Sequence, residues 1–92
     1  MTNKTENTPK KLKKYRLDAG FTIYSLADRV GVHYSSVSGW ENGLKKPRMD
    51  RLELLEDLLG HNHRELFADM SEEEIKEVEE RMRQNQFKKV ED

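Results

Sequence analysis

The chain has 92 residues, no cysteine and a formal net charge of −1. This length allows one domain with a modest core, and without cysteine neither a disulfide framework nor a thiolate metal site can form. No apolar run approaches the ~20 residues that span a bilayer, and the polar N-terminus lacks a signal segment. We therefore expect a cytoplasmic protein that does not enter a membrane.

The near-zero net charge conceals an uneven distribution along the chain. Residues 1–48 contain ten Lys and Arg against four acids, a net charge of +6. Residues 49–92 contain seven against fourteen, a net charge of −7. Because a polyanion is bound by a local positive face rather than by a basic total, the first half is the candidate for binding one. For the acids of the second half we favour a solvated surface.

The pattern of elements predicts an all-α protein. Residues 1–8 are polar, and we expect them to form a disordered arm. Thr8 and Pro9 are a typical pair for the N-cap and first position of a helix. They open a first helix that runs to Ala19 and ends at Gly20.

The second and third helices carry most of the information. Thr22 caps the second, which ends at Gly31, where a chain leaving a helix needs a positive φ that glycine adopts at little cost. The third begins near His33 or Tyr34 and ends by residues 42–43. Apolar residues recur at helical spacing in both helices. They are Leu26, Ala27, Val30, Val37 and Trp40. Ala27 is small enough for the helices to cross closely, which predicts a helix-turn-helix.

A basic loop of residues 43–48 leads to a fourth helix. This helix runs from about Met49 to Leu59, and the helical period predicts that Leu52, Leu55 and Leu59 are buried.

Two capping boxes open the last two helices. Asn62 and Glu65 form the box of a short fifth helix. Ser71 and Glu74 form that of a sixth, acidic helix, which runs to about Gln86.

The sixth helix carries a narrow apolar stripe of Ile75, Val78 and Met82. The stripe either packs on the domain or on a second subunit, or it docks another protein. A partly frayed acidic helix is a further interpretation.

Matching residues before, within and after the helix-turn-helix form an ordered set. They are Leu12, Arg16, Gly20-Phe21-Thr22, Ala27, Gly31, Val37, Trp40-Glu41-Asn42-Gly43, Lys46-Pro47, Gly60 and Glu65-Leu66-Phe67. On these residues the chain resembles the Xre/Cro-like (lambda-repressor-like) helix-turn-helix family over roughly residues 10–67. The resemblance implies a compact five-helix DNA-binding domain, which we expect over residues 9–69. Residues 70–92 lie outside the resemblance, and their own pattern predicts an amphipathic acidic helix and tail.

The resemblance places four residues of the third helix opposite base edges, namely Tyr34, Ser35, Ser38 and Gly39. Tyr34 can pack on a thymine methyl or hydrogen-bond through its hydroxyl, and the serines discriminate weakly. Gly39 stands where the family commonly has a long polar residue. It indicates either a close approach of the backbone to DNA or a lost base contact.

Phosphate contacts are expected on both sides of the third helix. The candidates are Thr22, Tyr24, Ser25, His33, Asn42, Lys45, Lys46 and Arg48. The family usually places a glutamine beside the phosphate at the second helix. Ile23 stands there, so one hydrogen bond to phosphate is missing.

Arg16 and Glu41 are expected to form a structural ion pair, as the resemblance suggests. Two departures from the family concern the fourth helix. Arg48 stands where a Ser or Thr N-cap is usual, so the helix alternatively starts at Asp50 with Glu53 completing a capping box. Glu56 replaces a small buried residue, and it points into a dimer interface or pairs with a nearby Lys or Arg.

The three histidines do not have metal-site spacing. His61 and His63 are separated by one residue, and His33 is distant in sequence, whereas zinc takes three or four ligands. We expect no metal and no cofactor. Glu41 has no visible partner acid, base or metal, so we expect no enzyme.

The resemblance implies a sequence-specific transcriptional regulator of double-stranded DNA, more often a repressor, that binds a pseudo-palindromic operator as a homodimer. The alternative is a protein-interaction module, an antitoxin or adaptor, whose acidic C-terminal helix binds a protein partner through Ile75, Val78 and Met82. DNA binding would then be secondary.

Overall fold

The computed structural model describes residues 8–91, with side chains over residues 8–83. Six helices form within this range, and the predicted all-α class is confirmed. The helices are α1 (Lys11–Asp18), α2 (Ile23–Val30), α3 (Tyr34–Glu41), α4 (Met49–Leu59), α5 (His63–Leu66) and α6 (Glu72–Glu91). Apart from Thr8, the predicted N-terminal arm lies outside the described residues.

One apolar core joins the first five helices. Its buried members are Leu12, Leu26, Ala27, Val30, Val37, Trp40, Leu55, Leu59 and Leu66. The sequence predicted burial of three leucines on α4, and two of them, Leu55 and Leu59, are buried. Leu52 is half-buried, so the prediction overestimated its burial.

Local signals set the ends of α2 and α3 as predicted. The Thr22 hydroxyl accepts from the Ser25 amide and the Ser25 hydroxyl accepts from the Thr22 amide, both at 2.9 Å. Gly31 ends α2 with φ of 75°, and the next amide, that of Val32, donates to the Ala27 carbonyl. This is a Schellman motif, which reverses the chain and directs it into α3.

The first helix begins two residues later than predicted. Instead of continuing a helix, the Lys10 amide donates to the Glu41 carbonyl at 2.8 Å and the Lys11 amide to the Ala68 carbonyl at 2.9 Å. The Pro9 carbonyl accepts from the Met70 amide. These backbone hydrogen bonds satisfy the polar groups of residues 9–11 with partners far along the chain, and they outweigh the local preference of Thr8-Pro9 for a helix start.

The fourth helix has its predicted bounds, Met49–Leu59, so the alternative start at Asp50 was wrong; Arg48 is its cap and makes no side-chain hydrogen bond. Among the described residues Glu56 pairs with His63 rather than with a Lys or Arg, and its alternative role in a dimer interface stays a prediction. Its carboxylate accepts from the His63 amide and contacts His63 Nδ1, each at 2.8 Å, which lowers the pKa of Glu56.

The fifth helix has half of its predicted capping box. The Asn62 side chain accepts from the Glu65 amide at 3.0 Å. The Glu65 carboxylate instead accepts from the Tyr15 hydroxyl at 2.6 Å, which joins α5 to α1. This hydrogen bond stabilises the protonated phenol and the ionised carboxylate. It raises the pKa of Tyr15 to about 12 and lowers the pKa of Glu65.

The sixth helix packs on α1, which is one of the alternatives left open by its sequence. Ser71 and Glu74 form the predicted capping box, and the helix continues to Glu91 rather than ending near Gln86. Val78 is 2% exposed. Arg81 donates to Asp18 at 2.6 Å, which adds a polar contact at the edge of the packed surface.

Acidic side chains of the C-terminal half pair with the lysines of α1 and its cap. Lys10 pairs with Asp69, and Lys11 lies 3.5 Å from Glu65. Lys14 lies 3.4 Å from Glu74. The largest cause of the lowered pKa of Glu74 is the hydrogen bond that its carboxylate accepts from the Ser71 amide, and Lys14 lowers this pKa further. The sequence interpretation favoured a solvated surface for the acids of this half, whereas Glu65, Asp69 and Glu74 lie in ion pairs with α1 and its cap.

A buried ion pair joins α1 to the end of α3. Arg16 and Glu41 are 4% and 2% exposed, and Arg16 Nε and Nη2 donate to the two carboxylate oxygens at 2.5 and 3.2 Å. Arg16 Nη1 donates to the Phe21 carbonyl at 3.0 Å. A fork-to-fork pair of this kind holds both direction and distance.

Removing one partner of this pair will destabilise the domain strongly. Arg16→Met or Glu41→Leu leaves a buried charge without compensation, and we expect each to lower the free energy of unfolding by about 3–5 kcal/mol in urea titrations. The double variant should recover much of this loss, because apolar residues replace both charges. Arg81→Met removes an exposed ion pair and serves as a control, with an expected loss below about 1 kcal/mol. A double variant less stable than either single variant would contradict the prediction.

Candidate nucleic-acid interface

The start of α3 presents its predicted residues to solvent. His33 caps the helix, with Nδ1 accepting from the Ser35 amide at 3.2 Å. Tyr34 is 44% exposed, Ser35 is exposed and Ser38, one turn further, is partly exposed. A short helix with an exposed first turn at this position can enter a major groove, and the Schellman turn before it reverses the chain so that α3 packs across α2.

Aromatic side chains connect the start of α3 to the start of α2. The ring of Tyr34 lies 4.9 Å from that of Tyr24 and 4.4 Å from that of His33, between ring centroids. Tyr24 is mostly exposed. The three rings therefore form one exposed aromatic cluster at the starts of α2 and α3.

An open groove of about 560 Å³ separates the first turns of α2 and α3. It is lined by Thr22, Tyr24, Ser25, Ala27, Asp28, Val32, His33 and Tyr34. The groove therefore gathers five predicted DNA-contacting side chains, together with one acid, Asp28, that the sequence interpretation did not consider. The Thr22 and Ser25 hydroxyls serve the capping box, and Ile23 is half-buried against the core. Packing thus explains why Ile23 replaces a polar residue.

A second groove, of about 320 Å³, lies between α3 and the start of α4. Its lining residues are Val32, Ser36, Trp40, Lys45, Lys46, Pro47, Arg48, Asp50 and Arg51. Three predicted phosphate-binding residues come together here, and Arg51 joins them. The sequence interpretation missed Arg51. Arg51 follows Arg48 by three residues across the start of a helix, and this spacing could have indicated that the two side chains are neighbours. Asp50 contacts Arg51 at 3.3 Å.

The remaining predicted residues lie along α3 between the grooves. Asn42 ends the helix and its amide lies 3.5 Å from the Ser38 hydroxyl. Gly39 is buried beneath the aliphatic part of Lys45. Its two sequence interpretations, close approach to DNA and a lost contact, both stay predictions.

Each histidine has a local partner within the fold. His33 caps α3, His61 stacks on Tyr15 with ring centroids 3.9 Å apart, and His63 contacts Glu56. Among the described residues, no group of three or more His, Asp or Glu side chains is placed to hold a metal ion. Over the same part of the chain, no helix combines the length and apolar character that crossing a membrane requires.

Comparison with known proteins agrees with this geometry. The family model described as helix-turn-helix matches residues 12–66, which is more than half of the chain. The chain belongs to the Xre/lambda-repressor-like helix-turn-helix family. No curated protein and no solved structure gives a significant match. The match runs from α1 through α5 and ends before α6. Since this is a family of DNA-binding regulators, the helix-turn-helix described above is a DNA-binding element.

The second groove, which we call the basic groove because Lys45, Lys46, Arg48 and Arg51 line it, leads to a prediction about DNA binding. Arg51→Met removes a cation from the groove lining, and we expect it to weaken binding to any duplex and to lower the slope of log K against log salt by about 0.9, as loss of one phosphate contact does. Fluorescence anisotropy at several salt concentrations measures both quantities. Arg64→Met, at an exposed position of α5 outside the groove, is the matched control. Equal slopes for the two variants would remove Arg51 from the interface.

Proposed function

We propose that the protein is a transcriptional repressor that binds a pseudo-palindromic operator as a homodimer and occludes a promoter. The observation that carries the proposal is the arrangement of α3, whose first turn is exposed between two open grooves. A recognition helix needs this arrangement, because base contacts from its first turns must be flanked by phosphate contacts that set its register.

Base reading falls to few side chains in this proposal. Tyr34 is an exposed aromatic residue of the first turn, and in this proposal it presents its ring to a thymine methyl in the major groove. Ser35 and Ser38 add hydrogen bonds that can donate or accept. Because no Arg, Asn or Gln lies at these positions for bidentate contacts, DNA shape and bridging water supply part of the specificity.

Phosphate contacts on two sides position α3 in this proposal. On one side the first amides of α2, beside Thr22 and Ser25, point away from the helix and favour an anion. On the other side Lys45, Lys46 and Arg48 supply positive charge. His33 and Tyr24 border the first side, and Asn42 lies at the end of α3.

A homodimer follows from the size of the reading surface. One α3 of eight residues covers only a few base pairs, and two copies related by a two-fold axis read half-sites about one helical turn apart. The two-fold symmetry of the protein then matches that of the operator.

The alternative, an interaction module acting through α6, has less support. Val78, at the centre of the proposed docking stripe, is buried against the domain, and Ile75 is half-buried. Met82 is 37% exposed and alone offers little apolar area to a partner. A docking role for the stripe would require α6 to leave α1.

Selection of bound duplexes from a random DNA pool at ~150 mM salt tests the proposal, since non-specific phosphate binding is weakened there. We expect a two-fold symmetric motif with two half-sites, and sedimentation of the complex should give two chains per duplex. A folded protein that enriches no motif would overturn the proposal and favour the interaction module.

Tyr34 should determine one position of each half-site. Tyr34→Ala is expected to lower affinity for the selected operator by roughly 5- to 100-fold, the discrimination of one good base contact, and to relax the preference at that position. Replacing thymine by uracil there should cost the wild type affinity and leave the alanine variant unchanged. Tyr34→Phe separates the ring from the hydroxyl. If Tyr34→Ala weakened specific and non-specific binding equally, Tyr34 would not be a base-reading residue.

A further inference from the structure

Gly39 occupies the interior of α3 without a backbone reason. Glycine is the least favourable helix residue after proline, because it loses the most conformational freedom. The backbone of Gly39 is not in the positive-φ region, unlike that of Gly31 or Gly43. Any residue can adopt its conformation, so the reason for glycine must be the space next to it.

The aliphatic stem of Lys45 fills that space. A Cβ on residue 39 would lie 2.9 Å from Lys45 Cγ, 3.2 Å from Cδ and 3.3 Å from Cε. These distances are shorter than van der Waals contact between carbon atoms. The stem of Lys45 therefore crosses α3 at the one position without a side chain.

The turn after α3 brings Lys45 to this position. Gly43 has φ of 77°, its amide donates to the Trp40 carbonyl at 3.3 Å, and the Leu44 amide donates to the Gly39 carbonyl at 2.8 Å. This is a second Schellman motif, which folds the chain back over the last turn of the helix. The Lys45 amide lies 3.4 Å from the same Gly39 carbonyl.

Beyond Gly39, Lys45 lines the basic groove with Lys46, Arg48 and Arg51. Long basic side chains commonly lay an apolar stem on the protein and keep the charged end in water. A lysine held in this way has lost part of its rotational freedom before DNA arrives, so less is lost on binding.

We propose that Gly39 is a positioning residue, which seats the stem of Lys45 on the recognition helix and so orders its ammonium group for a DNA phosphate. This inference rests on the proposed function and deepens it. Position 39 then contributes through the side chain of another residue rather than through a base contact of its own.

A double-variant cycle of Gly39→Ala and Lys45→Met tests the inference on the selected operator. Lys45 is flexible, so alanine at position 39 displaces it without unfolding α3, and thermal unfolding should show an equal or higher Tm. Each single variant is expected to bind roughly 3- to 10-fold more weakly, with the salt slope reduced by about 0.9. The double variant should bind no more weakly than Lys45→Met. Lys76→Met, at an exposed position of α6, is the charge-matched control.

Two results would overturn the inference. If Gly39→Ala binds as the wild type does, the glycine marks only a lost contact. If Gly39→Ala weakens binding equally with Lys45 or Met at position 45, the backbone itself approaches DNA. Should no operator be found, the same cycle on an arbitrary duplex at low salt still measures the phosphate contact, so failure of the inference is distinguishable from failure of the proposed function.

Discussion

The buried pair of Arg16 and Glu41 sets the orientation of the recognition helix. The guanidinium binds both carboxylate oxygens and the Phe21 carbonyl, so one side chain joins α1, the turn before α2 and the end of α3. The carbonyl of Glu41 also accepts from the Lys10 amide. Because charges removed from water need partners in a defined geometry, this pair constrains the position of α3 relative to α1. The exposed first turn and the two grooves depend on that position.

The sequence predicted those parts of the fold that local chemistry decides. The ends of α2 and α3 followed from Thr22 and Gly31, because a capping box and a left-handed glycine act within a few residues. The predicted start of α1 was wrong because the Lys10 and Lys11 amides donate to carbonyls far along the chain. The pairing of Glu56 with His63 was not among the alternatives for a related reason. His63 lies beyond the glycine that ends α4, and that turn cannot be followed by helical periodicity.

The candidate site shows the same division. The family resemblance implied that Tyr34 and Ser35 face outward near the start of α3, and both are exposed. The seat of Lys45 on Gly39 was not predictable, since it depends on the path of the loop after Gly43. Arg51 was missed because its groove exists only when the start of α4 lies beside α3. Contacts within one element could thus be predicted from local sequence, whereas a polar contact between elements was predicted only for Arg16 and Glu41, where the family resemblance suggested it.

The ion pairs of α1 change which charges a distant polyanion would meet. Lys10, Lys11 and Lys14 count toward the basic half of the sequence, yet each lies beside a carboxylate from the acidic half. Paired opposite charges largely cancel each other's field at a distance. Lys45, Lys46 and Arg48, by contrast, lie together in the groove beside the recognition helix. A protein with a pI near 6.3 can in this way present a local positive face to a polyanion, because the lysines of α1 are paired with acidic side chains while those of the loop after α3 line an open groove.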